Sequence, residues 1–160
     1  MKQKTEQEAL LTLTALCASG EHCTQEMLDK MARWELSEEA QARVMQYLTE
    51  HQYIDDERFT RAFVMDKIRY NKWGRRKVEQ ALWLKRIPKD IQTKILDEID
   101  ENEYLTVLRP LIKSKRRSIK AKNDYEANMK LIKFALGRGF TFDIIRQCID
   151  DADELDADFM

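Results

Sequence analysis

Apolar residues recur at helical spacing along almost the whole of this 160-residue chain, and the strict alternation of a half-buried strand is absent. The pattern also repeats. Residues 27–48, "MLDKMARWELSEEAQARVMQYL", align with 78–99, "VEQALWLKRIPKDIQTKILDEI", at an offset of 51, and both align with 131–149, "LIKFALGRGFTFDIIRQCI", a further 53 along. Five apolar columns coincide at helix-compatible spacing: Met27, Val78 and Leu131; Met31, Leu82 and Ala135; Leu36, Ile87 and Phe140; Ala40, Ile91 and Ile144; Val44, Ile95 and Cys148. Leu36, Ile87 and Phe140 are followed by Ser37, Pro88 and Thr141, which suit a helix start, and acids follow at Glu38, Asp90 and Asp143, where they favour the positive helix end. Each unit thus reads as helix, helix, short turn, helix. The leading helices are predicted over 6–18, 56–71 and 104–122.

These elements predict an all-α protein of about nine helices, an elongated array of three tandem three-helix repeats over 1–54, 55–100 and 101–150. One such unit is too small to bury its own apolar faces, so neighbours must stack. "DENEY" (100–104) is the expected flexible joint, and Pro110 is expected to kink the third leading helix or mark its start. The last ten residues, 151–160, read as an acidic, disordered tail that folds back on basic residues.

Composition agrees. Four Gly and two Pro leave little for turns and strands, and 36% of residues are charged. Three cysteines without framework spacing suggest buried thiols in a reducing compartment, and His22 beside Cys23 has no second ligand pair, so no metal is expected. No apolar run is long enough to span a membrane, and "MKQKTEQEALL" is too polar for a signal peptide, so the expected location is cytoplasmic.

The net charge of −1 hides an asymmetry. Eight basic residues and one acid lie between Arg58 and Lys77. At 100° per residue Arg58, Arg61, Arg69 and Lys72 share one helix face, and Arg75, Arg76 and Lys77 extend the charge past a turn at Gly74. Cations at a helix start oppose the dipole, which favours a functional role. Gly74 is expected to supply unusual backbone freedom. A second face carries Arg109, Lys113, Arg116, Arg117 and Lys120, with Lys115 projecting from the apolar side. Single-sign faces suit polyanions, chiefly nucleic-acid phosphate, or an acidic protein surface; the alternative is solvated helix surface. The central set is expected to matter more. Phe59 and Phe63 read as core, while Trp73 suits either core or contact.

No catalytic constellation is present. "GRG" at 137–139 lacks the rest of a phosphate loop, and no Ser or Cys sits in a nucleophile elbow. Asp55 and Asp56 read as helix caps. The chain is not expected to be an enzyme or to hold a cofactor.

The block "YIDDERFTRAFV", then Gly74, then "VEQALWLKRI" resembles the central signature of RecX regulatory proteins, and "TQEMLDKM" (24–31) is similar to that family's first-repeat pattern. The resemblance covers roughly residues 9–150. It implies an elongated array of three-helix repeats, acting as a monomer that binds the RecA–DNA filament and inhibits RecA recombinase and ATPase activity. Single- or double-stranded DNA would be contacted directly or through RecA, with roles in DNA repair, recombination and the SOS response. The chain departs from the family where glycine often precedes the isoleucine: it has Arg86, matched by Glu35 and Gly139, and only Gly139 suits a left-handed helix terminus. An Arg-rich turn of the first repeat is replaced by "ASGEHCT", so no filament contact is expected there. The alternatives are a stand-alone DNA-binding helical protein and a helical scaffold that binds no nucleic acid. Against the former, the third helix of each unit carries at least as many acids as cations.

Overall fold

The structure, a computed structural model, describes residues 3–149. The expectations for the 151–160 tail lie outside the described residues. Among the described residues nine helices follow one another in three triplets: α1 (Glu6–Ser19), α2 (Thr24–Arg33) and α3 (Glu38–Glu50); α4 (Asp56–Arg69), α5 (Arg75–Leu84) and α6 (Lys89–Glu98); α7 (Glu101–Ser118), α8 (Asp124–Gly137) and α9 (Phe142–Ile145). No strand occurs among the described residues.

The apolar columns are the core. All are buried except Leu36, Ile91 and Cys148, which are half-buried. The turn between the second and third helices of each triplet has one geometry. Glu35, Arg86 and Gly139 all take the left-handed region, with φ of 60°, 55° and 92°. Their amides donate to Ala32, Trp83 and Leu136, and the next amides, of Leu36, Ile87 and Phe140, reach back to Met31, Leu82 and Ala135. That is a Schellman closure, with an apolar residue folded onto the helix it ends. So two non-glycine residues adopt a conformation for which sequence alone favoured only Gly139. Gln41 and Gln92, 51 residues apart, donate side-chain amides to the carbonyls of Leu36 and Ile87, so the repeat extends to polar positions.

Packing groups the described residues into two compact units: residues up to 63 with 82–95, and residues 64–81 with those from 96 on. In the first, α1 and α2 pack on α3 around Leu13, Met27, Met31, Val44, Leu48 and Ile54. Glu26 closes the N-terminus of α2 by accepting from the Cys23 amide at 2.9 Å and pairs with Lys85 at 3.2 Å. Asp55 caps α4 by accepting from the Glu57 and Arg58 amides, and Asp56 accepts from the Thr24 amide at 2.8 Å, so both acids serve as caps.

In the second unit α7, α8 and α9 pack together around Leu105, Leu108, Ile112, Leu131 and Phe140. Three expectations are corrected here. Residues 100–104 are no loose joint: Asp100 caps α7 by accepting from the Asn102 amide, and Glu101 and Glu103 support its first turn. α7 therefore starts nine residues before Pro110 and runs through it. α7 also ends at Ser118, where Ile119 turns extended, so Lys120 lies off the helix. α9 is one short turn, because the amides of Gln147 and Cys148 bond three residues back and tighten the chain.

Gly74 has an ordinary φ; Lys72 takes the left-handed one, at 59°. What Gly74 provides is closeness. A Cβ there would collide with the backbone of Gly139 and Phe140. The Gly74 amide donates to the Arg138 carbonyl at 2.8 Å and the Arg76 amide to the Gly139 carbonyl at 3.0 Å. The start of α5 thus meets the end of α8 head to tail, each satisfying backbone groups the other leaves open. This gives the cations at the start of α5 a structural reason: they flank the negative end of α8.

Candidate functional site

The central cations are more neutralised than their own helices suggest, because several of their acids come from elsewhere in the sequence. Arg58 is half-buried, pairs with Glu21 at 2.6 Å and donates to the carbonyls of Gln52 and Tyr53. Arg61 pairs with Glu57 at 3.0 Å, and Glu57 also receives Lys94 at 2.7 Å. Arg69 pairs with Glu103 at 3.0 Å. Arg75 reaches Asp97 at 2.8 Å and Glu79 at 3.4 Å. Lys77 sits over the Trp73 ring at 5.1 Å, and Lys67 lies 5.6 Å from the same ring. Trp73 is half-buried between two ammonium groups. Lys72 and Arg76 are exposed and have no ion-pair partner among the described residues.

The α7 face is different. Arg109, Lys113 and Arg117 are all exposed, and none has an ion-pair partner among the described residues. Arg116 donates to the Asn128 side-chain oxygen at 3.2 Å, an uncharged partner. Lys115 lies over the Phe134 ring at 5.2 Å, so the cation on the apolar side is held by an aromatic face. Lys120 follows in the extended connection to α8.

The end of α4 and the middle of α7 line one open groove of about 530 Å³ in the second unit. Arg69 and Lys72 stand at one side, with Val107, Pro110 and Leu111 along α7 and Glu103 between them. Tyr70 is 79% exposed nearby in sequence. The groove holds Arg69 and Lys72 of the central set and none of the predicted α7 cations; Arg58 and Arg61 belong to the other unit. Chemically it offers charge and apolar contact without a nucleophile or acid–base pair.

Ionisation follows the same pairs. The Arg43 guanidinium holds Glu6 below the usual carboxylate range, and Lys94 with Arg61 does the same for Glu57. Burial opposes the charge on Glu26, but the Cys23 amide and Lys85 outweigh it and its pKa is lowered. Burial pushes the Cys23 thiol up to about 11 and raises Cys17 and Cys148.

Sequence reasoning missed a second surface. Trp83 and Leu84, inside the apolar block 78–87, are 72% and 73% exposed. They bound a cavity of about 570 Å³ in the first unit, lined also by Arg86, Ile87, Lys89 and Gln92. Helical periodicity held the signal: Leu82 is wholly buried, and Trp83 and Leu84 follow it by 100° and 200°.

Known proteins match in the same segments. The model of the second three-helix domain of RecX matches residues 55–96, and that of the third matches residues 101–149. The regulatory protein RecX of Chlorobium limicola is 29% identical over 151 residues, covering 93% of this chain and 92% of that protein. A regulatory protein RecX of Clostridium botulinum is 31% identical over 126 residues, covering 78% of this chain and 58% of that longer protein. The chain thus spans little more than half the length of this relative. The crystal structure of RecX from Lactobacillus salivarius superposes with a TM-score of 0.81 at 17% identity, covering 93% of this chain and 97% of that one. A second RecX crystal structure gives 0.80 at 15% identity, over 89% and 72%. The two domain matches together span more than half of the sequence, over the segments that hold α4–α6 and α7–α9, and the chain belongs to the RecX family of regulatory proteins.

Proposed function

We propose that this RecX-type regulator binds the RecA–DNA filament and slows RecA's ATP hydrolysis and recombinase activity, acting in DNA repair and recombination and in the SOS response. It does so as a cytoplasmic monomer without a cofactor and without chemistry of its own. The observation that carries the reading is the α7 face, where Arg109, Lys113 and Arg117 are exposed without an acid partner among the described residues. Unneutralised cations on one rigid helix suit the phosphates or acidic surface of a nucleoprotein filament. Arg58, Arg61, Arg69 and Arg75 are already paired, so they position helices first and attract a ligand second. This moves the weight from the central set to α7. A helical module fixed across neighbouring filament subunits would resist the movements of their ATPase cycle, and inhibition follows without catalysis.

The test is a binding titration at several salt concentrations, with RecA filaments and with DNA alone. Tighter binding to filaments than to DNA is expected, weakening with salt. Equal affinity for naked DNA would make it a stand-alone DNA-binding protein, and no binding to either would leave a scaffold.

A further inference from the structure

We propose that the groove bounded by Trp83 and Leu84 is a docking site for an acidic protein segment that carries an apolar anchor side chain. The site lies at the end of α5, the turn at Arg86 and the start of α6, all within the first unit. Leu82 and Ile87 point into the core, yet Trp83 and Leu84 between them are 72% and 73% exposed. Two adjacent large apolar side chains in water are a standing cost that a monomer's own packing would remove if core stability were all that shaped the site. They border a cavity of about 570 Å³, large enough for a partner side chain. Ile87 forms apolar wall, and one N–H of the Gln92 amide is engaged on the Ile87 carbonyl at 2.8 Å.

The charge of the lining selects the occupant. Arg86 and Lys89 flank the groove, and no acid lines it. Neither cation has an ion-pair partner among the described residues, whereas neighbouring Lys85 is held by Glu26 and the rings of Phe59 and Phe63. Arg86 also keeps its left-handed backbone, so its side chain leaves from a fixed turn. A carboxylate beside an apolar anchor complements this arrangement. Exposed Trp and Arg next to a pocket are the composition of an interface centre. Single-stranded nucleic acid fits less well. Stacking grooves need a track of cations along the backbone, whereas here there are two, and Leu84 and Ile87 offer no face for a base.

The inference needs no RecA to be tested. A short Glu/Asp peptide with a central Leu-Phe pair is titrated while tryptophan emission is followed. A saturable shift is expected that is lost in Trp83→Phe. The R86E/K89E double variant should bind about tenfold more weakly or worse. No response to the peptide, or an equal response to oligothymidylate, overturns the proposal. A second arm measures RecA-filament binding by W83A/L84A, whose exposed positions leave the fold intact by circular dichroism. Loss of filament affinity with unchanged affinity for oligonucleotide supports the groove as the protein anchor. Unchanged filament affinity overturns that role and leaves the proposed function standing. If the unaltered protein ignores filaments, that function falls and the peptide arm alone decides the groove.

Discussion

Replacing Gly74 with Ala should cost this protein a large part of its stability, although it adds one methyl group. The added Cβ meets the backbone of Gly139 and Phe140, which cannot swing aside like the tip of a flexible side chain. The ends of α5 and α8 must separate, and the bonds from the Gly74 and Arg76 amides to the carbonyls of Arg138 and Gly139 stretch. Overpacking of this kind costs about 1–3 kcal/mol. Two weakened backbone hydrogen bonds add about 1 kcal/mol each at most. The expected loss is therefore roughly 1–5 kcal/mol against a typical total of about 5–15 kcal/mol. Urea unfolding followed at 222 nm should show a lower midpoint with an unchanged slope. In heating, the midpoint should fall by about 2–20 °C for a chain of this size. Gly137→Ala is the control: nothing lies within 4 Å of its added Cβ, and alanine favours the helix by up to about 1 kcal/mol. A Gly74→Ala variant as stable as the unaltered protein would refute the head-to-tail contact.

Charge reversal of Arg109, Lys113 and Arg117 to Glu should weaken filament binding and flatten its salt dependence with little change in unfolding midpoint, while reversal of Arg58, Arg61 and Arg69 should chiefly lower the midpoint by breaking ion pairs; titration and calorimetry on the same samples separate the two. The lowered pKa values of Glu6, Glu26 and Glu57 mean that the unfolded chain binds protons first as pH falls. Their contribution is whole above the ordinary carboxylate value of about 4.3 and drains away below it, so an acid titration by circular dichroism should be flat near neutrality and fall only in that lower range. Cys23, pushed up to about 11, should react with iodoacetamide at pH 8 more than about a hundredfold slower than free cysteine; rapid labelling would contradict its burial.

The helices and their repeat were legible because core burial is written in periodicity: Met27, Val78 and Leu131 lie in one column and all are fully buried. Caps were legible at Ser37 and Asp55, whose side chains accept from amides two or three residues on, whereas the Asp56 side chain serves Thr24, 32 residues away. What escaped involves partners distant in sequence. Glu21 and Glu103 lie 37 and 34 residues from the arginines they neutralise, so a helical wheel of α4 alone shows Arg58 and Arg69 without their acids. The role of Gly74 depended on Phe140, and no local rule connects them. Glu35 and Arg86 hide a shared turn because side-chain propensity was overridden by the closure around Leu36 and Ile87. Trp83 and Leu84 sat in an apolar block whose core members were Leu82 and Ile87, and hydrophobicity alone did not divide them.

The most direct test of the central claim is the rate of DNA-dependent ATP hydrolysis by RecA filaments, measured with the unaltered protein and with the Arg109, Lys113 and Arg117 reversal. The account predicts that the unaltered protein slows hydrolysis in proportion to its occupancy of the filament, hydrolyses no ATP itself, and loses most of this effect on reversal while remaining folded. Hydrolysis unchanged by saturating protein would contradict it, and so would undiminished inhibition by the folded reversal variant, because the α7 face would then be solvated surface and the contact would lie elsewhere.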